Sequence, residues 1–262
     1  AIITMTESDQ RVDEVDKYYR PVKNLDYLSN ILFYIGATLS ISIPFLTKEQ
    51  ALISSIIPVI FIVSVLLHAF VVTANSYYFI PFAERQRRRQ LLSNSLAVPL
   101  SFEETNKYYN NKLDPNILKL GANLMENSFF GKNICERMLV TERIKIFLYT
   151  AVWLFVAIYR GSDLSLVLAA SQLLFASEIV FRWIKLEILR VRNERVFDSL
   201  YSVYLGHSQT HSPTIEAGIL DAFAEYEAAK ASAAVKLSTK VFDNMNEELT
   251  QKWERVRSNL KM

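Results

Sequence analysis

The stretch DYLSNILFYIGATLSISIPFLTKEQALISSIIPVIFIVSVLLHAFVVTANSYYFIPFAE, residues 26–84, decides the fold. Its charged residues stand only at the two ends and at Lys48 and Glu49, which leaves uncharged runs of 21 residues (27–47) and 34 residues (50–83). Because a helix rises about 1.5 Å per residue, even the shorter run reaches roughly 30 Å, the thickness of a bilayer's hydrocarbon core. The stretch predicts two membrane-spanning helices joined by the turn TKEQ, with a buried soluble hairpin as the alternative.

A second pair of apolar segments follows later in the chain. Residues 146–159 and 164–177 are uncharged, at 14 residues each. Both are short for a span, but the basic side chains at their ends can extend along the helix to the interface; these are Arg143, Lys145, Arg160 and Arg182. We therefore predict helices over 142–160 and 163–185. The predicted fold is all-α and polytopic, with four transmembrane helices arranged as two hairpins, a cytosolic helical insert and a helical C-terminal tail.

The positions of lysine and arginine predict the orientation of the hairpins. Of 29 basic residues, only Lys48 and Arg160 fall in the two short turns, and positive charge is retained on the cytosolic side. Both termini are therefore predicted to be cytosolic, in a bacterial inner (plasma) membrane. The first 26 residues are polar and acidic, so no cleaved secretion signal is expected.

This topology divides the chain into five segments. They are a cytosolic arm (5–26), hairpin 1 (27–83), a cytosolic insert (84–141), hairpin 2 (142–186) and a cytosolic tail (187–262). In the insert, SFEETNKYY predicts a helix capped by Ser101, and DPNILKL predicts another, capped by Asp114. In the tail, apolar residues from Ile219 to Leu260 recur at helical spacing, so this stripe should pack on the chain's own middle segment or on a second subunit.

The sequence contains no pattern typical of an enzyme. Six glycines form no phosphate loop, the lone Cys135 forms no disulfide framework, and His207 and His211 lie in a polar break where a solvated loop is favoured over a metal site. We expect no catalytic residue, no cofactor, no metal and no reading of duplex nucleic acid.

Polar residues inside the predicted spans are candidates for lining a pore. Ser64, His68 and Asn75 form a polar stripe on one face of the second helix. Thr38 and Ser42 form a shorter stripe on the first helix. Glu178, near the inner end of the fourth helix, is either one carboxylate of a ring at the mouth of a cation pore or half of an ion pair with Arg182. Helix-to-helix hydrogen bonding is the other interpretation of the stripes. The pore-lining candidates are Thr38, Ser42, Ser64, His68, Asn75 and Glu178.

Arginines cluster where each hairpin leaves the membrane. They can set the topology and attract anionic lipid, or grip a phosphate-bearing ligand beside the Asn and Tyr side chains of the insert. The anion-binding candidates are Arg85, Arg87, Arg88, Arg89, Arg190, Arg192 and Arg195.

The layout resembles the small bacterial membrane effectors with SMODS-associated or SLATT-like transmembrane hairpins. The features that carry the resemblance are the outer turns TKEQ and RGSD and the basic exit helices ERQRRRQLLSNSL and LRVRNERVFDSL, over residues 10 to 205. The resemblance implies a nucleotide-gated pore that depolarises or permeabilises the inner membrane in anti-phage defence. Its implied partners are a nucleotide second messenger or a signalling nucleotidyltransferase. This chain departs from the pattern in its longer helical tail and in having no recognisable separate sensor domain.

Four helices enclose too little space for a water-filled path, so a pore requires a homo-oligomer. Small residues that permit close helix association include Gly36 and Ala169. We expect an oligomeric inner-membrane channel or pore. The alternatives are a non-conducting scaffold that recruits a cytosolic partner through its tail, and a protein that handles lipid or solute.

Overall fold

The chain is all-α, as predicted, apart from one two-stranded bridge. In the computed structural model the described residues are 12–43, 51–106, 108–109, 111, 113–160, 166–206 and 212–260, with side chains described except at 51–54, 106, 152–153, 156–160 and 166–177. The elements are β1 (Val12–Asp13), a 3-10 helix (Glu14–Tyr19), α1 (Arg20–Ser42), α2 (Ala51–Ala74), a π-helical turn (Asn75–Phe79), α3 (Ile80–Leu96), β2 (Thr105–Asn106), α4 (Ile117–Arg160), α5 (Leu166–Gly206), α6 (Pro213–Ala233) and α7 (Thr239–Asn259).

Helix α2, the π-helical turn and α3 form one uninterrupted rod. Among the described residues, one helix is long and apolar enough to cross a membrane, the 42-residue segment Ser55–Leu96 of this rod, about 63 Å at the helical rise. The π-helical turn has a local cause. Pro81 lacks an N–H group, and its ring crowds the carbonyl four residues earlier. In the wider turn the Ile80 N–H donates to the Asn75 carbonyl, five residues earlier.

The surfaces of α1 and α2 are apolar outside and partly polar inside. The buried residues of α1 are Val22, Ser29, Gly36 and Ser40, and α2 buries Ser64 and His68. The large side chains exposed on the two helices are Tyr27, Leu28, Ile31, Tyr34, Ile35, Ile41, Ile56, Val59, Ile60, Val63, Leu66, Leu67 and Phe70. Contiguous apolar surface on this scale exceeds what soluble monomers expose.

Helices α4 and α5 form a long hairpin of 44 and 41 residues. Both run without a break through the predicted segment boundaries at 141/142 and 186/187. Such a boundary marks where a helix would leave the membrane, so it stays a prediction, as does the number of four spans. The outer turns TKEQ and RGSD lie almost entirely outside the described residues, and so do His207 and His211.

The main core lies at the end of the α4–α5 hairpin away from its turn, where α6 and α7 cover it. Fully buried side chains of α4 and α5 meet those of the tail; they are Leu120, Leu124, Met125, Leu139, Leu186, Leu200, Ile219, Leu249 and Trp253. After α5, the predicted helical tail consists of two helices, α6 and α7. Of the two covers that the sequence allowed for the tail's apolar stripe, the chain's own middle segment is the one observed.

Two details of the predicted insert were wrong. The described residues of 101–109 form no helix, and Thr105 and Asn106 pair antiparallel with Asp13 and Val12. The Ser101 hydroxyl accepts a hydrogen bond from the Glu103 N–H and bonds the Glu103 carboxylate, which closes a tight turn. The next helix does form, but it is capped by Asn116, whose Oδ1 accepts from the Lys119 N–H at 3.0 Å, two residues beyond the predicted cap Asp114.

Candidate ligand-binding cavity

A cavity of about 790 Å³ opens between the N-terminal arm, α3, α4 and the tail. Its wall carries six acidic and five basic side chains, four tyrosines and several amides and hydroxyls. The α6–α7 linker and the first half of α7 close one side. A pocket of this size with convergent polar groups is the default place to expect a small-molecule ligand.

Helix α3 supplies one wall from a single face. Glu84, Arg87, Arg88 and Leu91 follow one another at helical spacing, so all four side chains reach the cavity. This face belongs to the same rod that contains the membrane-length segment, so the cavity wall and the apolar helix are one rigid element.

Arg87 is held by a carboxylate and an aromatic ring. Its Nη1 and Nη2 donate to the two carboxylate oxygens of Asp13, each at 2.9 Å, and its guanidinium lies 4.7 Å from the ring centre of Tyr108. Burial opposes the charged form, but Tyr108 and the bidentate bond to Asp13 outweigh it and raise the pKa of Arg87. Arg87 is therefore a fixed, permanently charged fork, already occupied by an oxyanion.

A second ion cluster joins α3 to α6. The Lys230 ammonium contacts the Glu84 carboxylate and lies 3.8 Å from the Glu227 carboxylate. Glu227 also forms an ion pair with Arg88 at 3.4 Å. The Tyr19 hydroxyl donates to Glu84 at 2.8 Å. Burial alone would lower the pKa of Lys230, but Glu84 and the neighbouring acidic groups raise it well above its ordinary value. Lys230 therefore stays charged at neutral pH although its side chain is largely shielded from water.

Tyrosines and amides complete the wall. Burial raises the pKa of Tyr109 and Tyr226, so both stay neutral, and the Tyr109 hydroxyl accepts from the Asn127 amide at 3.2 Å. A Cβ on Gly131 would lie 3.0 Å from the Asn193 side chain, so glycine permits the close approach of α4 and α5 beneath the cavity. Flat rings beside amides suit a ligand that carries an aromatic base.

The structure brings two of the seven predicted arginines to the cavity. Arg87 and Arg88 line it, together with Tyr108, Tyr109 and Asn127 of the insert. The other five lie outside. Arg85, Arg89 and Arg195 are exposed, Arg190 pairs with Glu187 and Glu194, and Arg192 donates to the Ser232 hydroxyl.

Sequence reasoning missed Asp13, Glu84, Tyr226, Glu227 and Lys230. The one local signal was the i, i+3 spacing of Glu227 and Lys230 within EYEAAK, which is common on solvated helices. Nothing local indicates that Lys230 faces Glu84, 146 positions earlier in the chain.

The polar stripe of α2 contacts α1 of the same chain. Ser64 donates to the Leu32 carbonyl at 3.2 Å, His68 Nε2 lies 3.3 Å from the Ser29 hydroxyl, and Asn75 donates to Asp26 at 3.0 Å. These contacts favour the interpretation as hydrogen bonding between helices.

The remaining pore-lining candidates lie on other helices. Thr38 and Ser42 donate to carbonyls of their own helix, those of Tyr34 and Leu39, each at 2.9 Å. Glu178 is half-buried, and its expected partner Arg182 lies 3.4 Å from Glu142 on α4 instead. The pore-lining role of all six residues stays a prediction.

No family model, curated protein or solved structure matches this chain. Within the described residues, no three His, Cys, Asp or Glu side chains are grouped in a way that would hold a metal ion.

Proposed function

We propose that this protein is an oligomeric channel or pore-forming effector of the bacterial inner membrane, gated by a cytosolic nucleotide signal in anti-phage defence. In this proposal α1, α2 and the turn-side halves of α4 and α5 are the four spans of two hairpins. Both termini, the insert and the tail lie in the cytosol. The cavity is the sensor, and several copies assemble to form the conducting path.

The exposed apolar surface of α1 and α2 supports the membrane location. The same pattern continues toward the turn of the α4–α5 hairpin, where the exposed apolar side chains are Ile144, Phe147, Leu148, Leu154, Phe155, Val180, Phe181 and Ile184. Burying this surface in lipid removes it from water, and each large side chain contributes roughly 1.5–3 kcal/mol when it is fully transferred.

The rod formed by α2 and α3 is the observation that carries the gating part of the proposal. Glu84, Arg87 and Arg88 stand within about two and a half turns of Phe79, the last residue of the π-helical turn, and they face the cavity. A ligand that changes the ion pairs of these residues acts directly on the membrane helix. A ligand can shift such an equilibrium only through a difference in affinity between the two states, and exchangeable ion pairs supply that difference.

Induced expression in bacteria, followed with a voltage-sensitive dye and with propidium, tests the proposal. In the cells we expect depolarisation. In inverted vesicles that contain the protein, depolarisation should increase when extract from phage-infected cells is added as the source of the signal. Propidium entry would indicate a wide pore. Depolarisation without propidium entry would indicate a narrower ion channel. Protein that inserts and assembles normally yet never depolarises the membrane would contradict a conducting function.

A non-conducting scaffold is the second candidate function. It is favoured by the stripe on α2, because Ser64, His68 and Asn75 contact α1 of the same chain, as expected of hydrogen bonding between helices. In that case the cavity would control the recruitment of a cytosolic partner. Insertion without depolarisation, together with ligand-dependent capture of a partner by the tail, would support it.

The orientation of the hairpins makes a separate prediction. A reporter that is active only in the periplasm should be active when fused after Lys48 or Arg160 and inactive after Leu100 or Met262, because the basic residues concentrate on the cytosolic side. A cytosolic reporter should give the reverse pattern at all four positions. Cytosolic signals from both outer turns would exclude the two-hairpin topology.

A further inference from the structure

The cavity has no surplus of positive charge, although it contains five basic residues. Six acidic side chains share its wall, and three of the cations are paired with them: Arg87 with Asp13, Arg88 with Glu227, and Lys230 with Glu84. An anionic ligand that binds the Arg87 fork therefore has to replace the carboxylate already there.

Asp13 is the carboxylate best placed to be replaced. Its two oxygens occupy the Arg87 fork in the parallel, bidentate arrangement that guanidinium groups also form with phosphate. Glu84 and Glu227 lie within long helices, whereas Asp13 lies in a strand of two residues. That strand is held to β2 by the register Val12 to Asn106 and Asp13 to Thr105.

The arm has a firm anchor directly after this strand. Val15 and Tyr19 are buried against Val22, Ile80 and Ala83. Ahead of the anchor, two hydrogen bonds join Glu14 to Glu104. The Glu14 N–H donates to the Glu104 carbonyl at 3.3 Å, and the Glu14 carboxylate accepts from the Glu104 N–H at 2.9 Å. Residues 12–14 can therefore leave the cavity while residues 15–19 stay in place.

We propose that Asp13 is an internal substitute for the ligand's phosphate, and that the ligand is a phosphate ester whose oxygens displace Asp13 from Arg87 and release β1 from β2. This inference rests on the proposed role of the cavity as a sensor. Beyond that role, the phosphate of the ligand is its anchor at Arg87, and residues 12–14 are an autoinhibitory arm. The ion pair between ligand and Arg87 replaces the pair between Asp13 and Arg87, so much of the energetic difference lies in the freed strand and in the contacts of the ester group with the tyrosine-lined wall.

Binding of two probes to the full chain in detergent tests the exchange. Inorganic pyrophosphate presents the anion alone, and ADP presents a phosphate ester with a base. Asp13→Ala should bind ADP at least tenfold more tightly than the wild type, and Arg87→Lys should bind it at least tenfold more weakly, because lysine cannot form the fork. Arg85→Lys, on the exposed face of the same helix, is the matched control and should leave the affinity unchanged. ADP should bind more tightly than pyrophosphate.

A disulfide across the strand pair tests the movement without removing Asp13. Val12 and Asn106 are register partners, and facing positions of an antiparallel pair lie close enough for a disulfide. The double variant Val12→Cys, Asn106→Cys should bind ADP at least tenfold more weakly when oxidised than when reduced. Cys135 is buried, and burial raises its pKa to about 12, so it should not interfere.

The outcomes separate this inference from the proposed function. Equal affinity of the oxidised and reduced forms, or of Asp13→Ala and wild type, would overturn the role of the arm. Failure of every form to bind either probe would overturn it as well. Neither result alters the depolarisation measurement, which tests conduction. Conversely, tenfold effects at Asp13 in a protein that never depolarises membranes would support the arm and refute the pore.

Discussion

Lys230→Met is expected to lower the stability of the protein by about 3–5 kcal/mol, the cost typical of removing one partner from a buried ion cluster. The Lys230 side chain is 16% exposed, and its partners Glu84 and Glu227 are 21% and 13% exposed, so little water is available to take its place. For a chain of this size the loss corresponds to a fall in Tm of roughly 6–20 °C. Thermal unfolding of the full chain in detergent measures it.

The double variant Lys230→Met, Glu84→Gln distinguishes loss of the cluster from loss of packing. Replacing the Glu84 carboxylate by an amide removes one of the unpaired charges, so the double variant should recover part of the lost Tm, and the two substitutions should be strongly non-additive. The matched control is Lys252→Met, which breaks the exposed ion pair with Glu248 and should cost less than about 1 kcal/mol. Equal losses at Lys230 and Lys252 would show that the cluster is solvated.

The parts of the fold that the sequence predicted are those set by periodicity and composition. The apolar stripe from Ile219 to Leu260 indicated tail helices with one covered face, and Ile219, Leu249 and Trp253 are fully buried. Likewise, Ser64, His68 and Asn75 were grouped on one face by their spacing, and all three are buried against α1. Helical spacing determines which residues share a face, whatever that face contacts.

The cavity could be predicted only in part because its partners are far apart in the chain. Arg87 was a candidate from its basic neighbourhood, but Asp13 meets it through a strand of two residues, too short to produce an alternating pattern. The capping motif at Ser101 was misleading for the same reason: the pairing of Thr105 with Asp13 is a tertiary contact, and it overrides the local preference for helix.

Trp253→Ala should cause a loss as large as Lys230→Met, by a different mechanism. Trp253 is fully buried, its ring centre lies 5.9 Å from that of Phe129 on α4, and its truncation would leave a large cavity under α7. Such a substitution typically costs about 3–5 kcal/mol. Because α7 also carries Phe242, Asn246 and Thr250 into the ligand cavity, loosening it should weaken ADP binding together with Tm.

A milder substitution at Trp253 separates volume from hydrogen bonding. Among the described residues the buried Trp253 Nε1–H has no hydrogen-bond partner, and an unsatisfied buried donor costs about 1–3 kcal/mol. Trp253→Phe removes that donor while it keeps an aromatic ring. Removing the unsatisfied donor stabilises the fold and offsets part of the lost packing, so the fall in Tm should be well under half of that for Trp253→Ala. Lys252→Ala, one position away on the exposed face, should change Tm little. If Trp253→Ala unfolds at the wild-type temperature, then α7 does not pack on α4 and α5, and the cavity loses the wall that this helix provides.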